Sequence, residues 1–176
     1  EKRLASLSDG LSDGLPKGGE PIPANLAGAM RHLLFPGGKR IRPVLAMAAA
    51  EAVGGPPTAA LPLGVAVELI HTYSLVHDDL PALDDDQLRR GAPTLHVHSG
   101  EAMAILAGDL MLPLAFHELA RGETTPEIAA ALVRELADGT KAMVVEDGVV
   151  ERGREVEADL PLGVAHRAFA VVLNRR

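Results

Sequence analysis

The stretch Leu61-Pro62-Leu63-Gly64-Val65-Ala66-Val67-Glu68-Leu69-Ile70-His71-Thr72-Tyr73-Ser74-Leu75-Val76-His77-Asp78-Asp79 decides the fold. Taken from Ala59, it is apolar on nearly every face of a helix, as a segment surrounded by other helices must be; a surface helix would carry one apolar stripe. Its end is fixed by Pro81, which lacks a backbone donor and disfavours helical geometry at Leu80. The spacing therefore predicts a helix over 59–79 that is buried along its body and delivers carboxylates at its tip.

Neighbouring segments repeat the helical pattern. Leu26, Ala29, Met30 and Leu33 recur at helical spacing over 25–34, and Pro36-Gly37-Gly38 ends that helix, leaving 37–42 as a loop. Pro43 suits the first position of the next helix, where no donor is needed, and Gly54-Gly55-Pro56-Pro57 stops it. Residues 102–116 are again strongly apolar, with a kink or an end expected at Pro113. Thr125-Pro126-Glu127 supplies a cap, a first-turn Pro and a dipole-compensating acid for a helix running to Ala137, before Gly139. Residues 1–23, rich in Gly, Pro and Ser, read as a lead-in with one short helix. Across the 176 residues the apolar content is 47% but aromatics are only 2%, and Ala, Leu and Val dominate. That composition suits close-packed helices better than a sheet, so the fold class is all-α, in one domain over 1–176.

The same numbers exclude several kinds of function. With no cysteine there is no disulfide framework and no thiolate chemistry. No charged segment followed by an apolar core opens the chain, so a cytoplasmic location is expected. His, Asp, Glu or Pro interrupts each apolar run before the roughly 20 residues of a membrane span, so no stable membrane insertion is expected. A net charge of -7 opposes general nucleic-acid binding.

Asp78, Asp79, Asp84, Asp85 and Asp86 gather five carboxylates within nine positions. Such a cluster must face water or bind cations, because burying it uncompensated is very costly. Oxygen-only ligands suit Mg2+, which takes one or two carboxylates and completes its shell with water and phosphate. A solvated acidic turn is the plain alternative. Basic groups lie nearby in Arg89-Arg90 and upstream in Gly38-Lys39-Arg40-Ile41-Arg42. Each alone reads equally as a solvated loop, yet arginine forks and a glycine-loop lysine are also what phosphates recruit. A carboxylate cluster beside two basic groups describes a site for two diphosphates.

Three blocks carry a resemblance. They are Gly37-Gly38-Lys39-Arg40-Ile41-Arg42-Pro43; His71-Thr72-Tyr73-Ser74-Leu75-Val76-His77-Asp78-Asp79-Leu80-Pro81-Ala82-Leu83-Asp84-Asp85-Asp86-Gln87-Leu88-Arg89-Arg90-Gly91-Ala92-Pro93-Thr94; and Ala104-Ile105-Leu106-Ala107-Gly108-Asp109. Over 24–116 the chain resembles the trans-isoprenyl diphosphate synthase (polyprenyl synthetase) family of the farnesyl and geranylgeranyl type. The resemblance implies an antiparallel helix bundle around a central cavity, the isoprenoid synthase fold, and a homodimer. It makes Asp78 and Asp84 the principal Mg2+ ligands, supported by Asp79. It makes Lys39, Arg42, His71 and Arg90 the binders of isopentenyl diphosphate and Arg89 the holder of the allylic diphosphate. Arg40 is at most an accessory charge.

The implied reaction is ionisation of the allylic diphosphate, condensation and elimination, with preorganised positive charge supplying most of the rate and apolar walls excluding water. His71 lies two turns from Asp78 on one helix face, which favours a substrate contact over a core role. His77 is rotated about 100° from Asp78 and is expected to be structural. Asp109, in a nearly all-apolar helix, is expected to pack with a hydrogen-bonding partner. In this family, product length is set about one turn before the first aspartate, where Tyr73 and Ser74 stand. A bulky Tyr73 favours the C15 farnesyl product, with the C20 geranylgeranyl product next.

The resemblance also has a boundary. No second aspartate-rich motif and no downstream Lys-Thr pair is visible; Asp138-Gly139-Thr140-Lys141 has those letters reversed, and Glu155-Val156-Glu157-Ala158-Asp159 is not an Asp-Asp motif. From Ala142 to the closing Ala168–Leu173 the text departs from the family, so the fold is expected to be incomplete on that side. A shortened chain, a shifted reading frame or omitted segments would each explain it. Two further readings stand beside the synthase. One is a weakly active or non-catalytic partner subunit. The other is an HD-type metal phosphohydrolase built on His71, His77-Asp78 and later acids.

Overall fold

The computed structural model describes residues 22–35, 38–121 and 124–145. The helix expected near the start, the glycine-rich residues Pro36 and Gly37, the Glu155–Asp159 segment and the stretch from Ala168 lie outside them. In chain order the elements are α1 (Ala24–Leu34), α2 (Ile41–Ala52), a 3-10 turn (Pro57–Ala60), α3 (Leu61–Asp78), β1 (Leu88–Arg89), β2 (Ala92–Pro93), α4 (Leu95–Ser99), α5 (Glu101–Ala120) and α6 (Pro126–Val145). The all-α expectation holds, with one small addition: β1 and β2 form a two-residue antiparallel hairpin, pairing Leu88 with Pro93 and Arg89 with Ala92.

The described residues divide into two compact units, one within Glu1–Arg40 and Leu69–Leu114, the other within Ile41–Glu68 and Ala115–Arg176. In the first, α1 packs on α4, with Ala27, Met30 and Leu34 buried along one face. In the second, α2 packs on the 3-10 turn. Gly64 lets the start of α3 come close to α2, since a Cβ there would stand 3.2 Å from the Cα and Cβ of Pro43.

α3 is buried without a break from Leu63 to Ile70, the arrangement its apolar faces call for. α5 differs. Ala104, Ala107, Met111, Leu114, Ala115 and Leu119 are buried at helical spacing, while Ile105 and Leu106 are 43% and 54% exposed. α6 buries Leu132, Leu136, Thr140 and Met143 at the same kind of spacing.

Four expectations are corrected. α2 begins at Ile41, not Pro43; the first turn needs no donors, so Pro43 is equally acceptable as its third residue. α5 continues through Pro113 to Ala120, and α6 runs past Gly139 to Val145. In α6 the continuing stripe of Leu136, Thr140 and Met143 outweighs the roughly 1 kcal/mol that a helical glycine costs. Finally, the segments Pro57–Asp78 and Glu101–Ala120 are both long and apolar enough, by length and composition, to cross a membrane. For α3 that apolarity is the burial just described, which also encloses Glu68 and Thr72.

Candidate active site

α3 stops at Asp78, and its last turn tightens as Leu80 N–H donates to the His77 carbonyl at 3.1 Å. The chain then folds back on itself. Leu83 N–H (2.8 Å) and Asp85 N–H (3.2 Å) both donate to the Leu80 carbonyl, and Asp84 N–H donates to the Asp78 carbonyl at 2.9 Å. The last bond brings together the two aspartates expected to bind metal. Both are exposed, as are Asp85 and Asp86. Asp85 is held at a left-handed φ of 52°, which Asp tolerates better than most residues.

Asp79 behaves differently from its neighbours. It is fully buried, and its carboxylate accepts from Arg89 Nε at 2.9 Å on both oxygens and from Arg89 Nη2 at 2.6 Å. Arg89 Nη2 also stands 3.8 Å from Asp86 Oδ2. The Asp79 hydrogen bond, followed by the surrounding carboxylates, raises the Arg89 pKa above its ordinary value against the opposing effect of burial.

The hairpin turns at Arg90-Gly91, both left-handed with φ of 54° and 80°, the signature of a type I′ turn whose twist matches its strands. Its far end is fastened by Thr94, fully buried, whose N–H donates to the Gln87 carbonyl at 3.1 Å and whose hydroxyl donates to the Asp86 carbonyl at 2.7 Å. Thr94 Oγ1 also meets His96 Nδ1 at 3.2 Å, and His96 Nε2 lies 3.9 Å from Asp85 Oδ1. His32 Nε2 is 2.8 Å from the Pro93 carbonyl, so it is the protonated nitrogen, and its ring stacks on His98 at 4.0 Å.

The basic loop comes to the same place. Gly38 lies against the Arg90 guanidinium, and exposed Lys39 follows it. Arg40 donates to the Leu34 carbonyl and covers the Phe35 ring. Arg42 is half-buried in the first turn of α2, in the second unit.

On α3, His71 is half-buried and its carbonyl accepts from the Ser74 hydroxyl at 2.9 Å. Tyr73 meets the His77 ring edge-on at 5.2 Å. Burial first, then Asp78 and Asp109, raise the Tyr73 pKa. His77 fills a notch left by Gly108, where a Cβ would fall 2.3 Å from its Nε2. The same nitrogen is 3.4 Å from the Ile105 carbonyl and 3.8 Å from Asp109 Oδ1. His77 is thus packed against α5, whereas Asp109 departs from the hydrogen-bonded packing role expected of it: its side chain is 63% exposed and meets His77 only at 3.8 Å.

Among the described residues no group of three or more His, Asp or Glu side chains could hold a metal ion by itself. The exposed oxygen donors Asp78 and Asp84, linked through one backbone bond, nevertheless fit the habit of Mg2+, which needs few protein ligands when a substrate phosphate completes its shell. Thr94, His96, Gly91 and Gly38 escaped the sequence reading as site residues. Gly91, beside an arginine and between short polar-flanked segments, was the one local signal of a turn.

A family model described as polyprenyl synthetase matches residues 23–147. This chain belongs to that family. The match reaches past Phe116 through the whole of α6. Among curated relatives, the heterodimeric geranylgeranyl pyrophosphate synthase large subunit 2 of Arabidopsis thaliana is 45% identical over 144 residues, 81% of this chain and 38% of that one. The farnesyl diphosphate synthase of Geobacillus stearothermophilus is 46% identical over 140 residues, 78% of this chain and 46% of that one. The solved geranyltransferase of Legionella pneumophila aligns with a TM-score of 0.80 at 30% identity, over 98% of this chain and 65% of its own. The polyprenyl synthetase chain described here therefore spans less than half the length of these curated relatives.

Proposed function

We propose that the protein is a short-chain trans-prenyltransferase that condenses isopentenyl diphosphate with dimethylallyl or geranyl diphosphate. The observation that carries this reading is the fold-back of residues 78–90. One backbone bond joins Asp78 to Asp84, and the same short segment ends in a hairpin that sets Arg90 against the Gly38-Lys39 loop. Asp78, Asp84, Lys39, Arg89 and Arg90 thereby share one compact unit.

Asp78 and Asp84 would hold Mg2+, which supplies neutralising charge for a departing diphosphate. Arg89, oriented by Asp79 and Asp86, stabilises the negative charge that grows as the allylic C–O bond breaks and its electron pair leaves with the diphosphate. Lys39, Arg90 and His71 bind isopentenyl diphosphate, whose double bond attacks the allylic cation. Loss of a proton from the adjacent carbon restores a double bond, with the released diphosphate as acceptor. Tyr73 and Ser74 close the floor beneath the growing chain, and the bulk of Tyr73 favours farnesyl over geranylgeranyl diphosphate.

A homodimer and a cytoplasmic setting belong to the same reading. The exposed Ile105 and Leu106 on α5 support the first, and a cysteine-free chain that needs no oxidising compartment supports the second. A partner-subunit role is the second reading, favoured by the similarity to a chain named as a subunit of a heterodimeric synthase. The phosphohydrolase reading has no comparable support, since His77 is engaged with Ile105 and Asp109.

The deciding experiment incubates the purified chain with Mg2+, labelled isopentenyl diphosphate and each allylic diphosphate, and sizes the extracted lipid. A C15 product is expected, abolished by Asp78→Ala and by chelation. Binding without turnover supports the partner subunit, and release of phosphate without condensation rejects a prenyltransferase.

A further inference from the structure

A Cβ built on Gly38 would lie 2.8 Å from both terminal nitrogens of Arg90 and 2.9 Å from its Cζ. The head of the guanidinium as a whole therefore occupies the space that any side chain at position 38 would need. Gly38 is not at positive φ, so its backbone does not require glycine; only the close approach of Arg90 does. Arg90 is in turn held at a left-handed φ of 54°, unusual for a residue with a side chain, by the hairpin turn it shares with Gly91. Lys39, the next residue, is exposed, and among the described residues neither Lys39 nor Arg90 is seen in an ion pair.

We infer that Gly38 is the positioning residue for Arg90: its missing side chain seats the guanidinium beside Lys39, so that two cations from separate parts of the chain meet one diphosphate. This rests on the diphosphate-binding reading given above. The displaced group would be the far end of a flexible, exposed side chain, so a small residue at position 38 disturbs the charge arrangement and leaves the fold intact.

The test uses Gly38→Ala alone and combined with Arg90→Ala, in the whole chain. Thermal unfolding of Gly38→Ala is expected at the parent midpoint. The Arg90 Nε–H resonance, assigned by its loss in Arg90→Lys, is expected to shift in the ligand-free protein. Affinity for inorganic pyrophosphate with Mg2+ is expected to fall roughly tenfold, as for a weakened hydrogen bond to a charged group, and to fall no further when Gly38→Ala is added to Arg90→Ala. An unmoved Arg90 resonance overturns the inference, and so does an equal loss of affinity in the Arg90→Ala background. A parent protein that binds no pyrophosphate overturns the diphosphate reading itself, whereas the resonance still decides whether Gly38 seats Arg90.

Discussion

The buried carboxylate of Asp79 sits in the fork of Arg89, accepting from Nε and Nη2 at 2.6–2.9 Å. The pair is asymmetric: the Arg89 side chain keeps 24% of its exposure and Asp79 only 1%. Removing either partner of a buried pair costs about 3–5 kcal/mol. Arg89 can recover water when it loses its partner, and Asp79 cannot. Arg89→Ala is therefore expected to destabilise more than Asp79→Ala, with the double variant losing less than the sum. Urea unfolding of the three variants checks this; equal single costs that simply add would refute the pairing.

Tyr73 is the one tyrosine and there is no tryptophan, so ultraviolet difference absorbance follows its ionisation alone. Burial, Asp78 and Asp109 all oppose the phenolate, so the midpoint is expected above the ordinary value of about 10 and should return to it in denaturant. The unfolded chain gives up this proton first. The associated stability is thus present below about pH 10 and is lost as pH rises through the higher folded-state value. Asp109→Asn should lower the midpoint part of the way; a native midpoint at or below 10 would contradict the geometry.

Gly108→Ala is expected to destabilise by about 1–3 kcal/mol, the usual cost of overpacking, because its Cβ would enter the His77 ring. His77→Ala makes room, so the double variant should be more stable than the sum of the two losses predicts. Melting temperatures of the four proteins provide the cycle, and strict additivity would show that His77 is not what fills the notch.

On the prenyltransferase reading, Tyr73→Ala opens the floor of the elongation pocket. The product should lengthen from C15 towards C20, read by chromatography of the extracted lipids. An unchanged product length would remove Tyr73 from that role.

Much of this was legible from residue type and spacing. The continuous burial from Leu63 to Ile70 follows from apolarity on every face, and the cap at Thr125 and the end of α3 near Pro81 follow from local stereochemistry. What escaped notice depended on partners distant in sequence. Nothing in the letters Asp78-Asp79 separates an exposed carboxylate from a buried anchor; that distinction arises only once Arg89 has been brought back by the loop. Gly38 read as loop punctuation because its partner lies beyond two helices. Pro113 and Gly139 read as breaks because local propensity favours ending a helix there, and in α6 it is the buried stripe through Thr140 and Met143 that carries the helix past its glycine.

Thr94 holds the acidic segment through the carbonyls of Asp86 and Gln87, and Leu80 holds it through two further N–H groups. The loop is thus braced by its own main chain, while Asp84, Asp85 and Asp86 project into solvent. Shape and ligand chemistry are separable here. On the prenyltransferase reading, exchanging the exposed carboxylates for imidazoles or amides is expected to change which metal this segment holds, with the scaffold that presents them left standing.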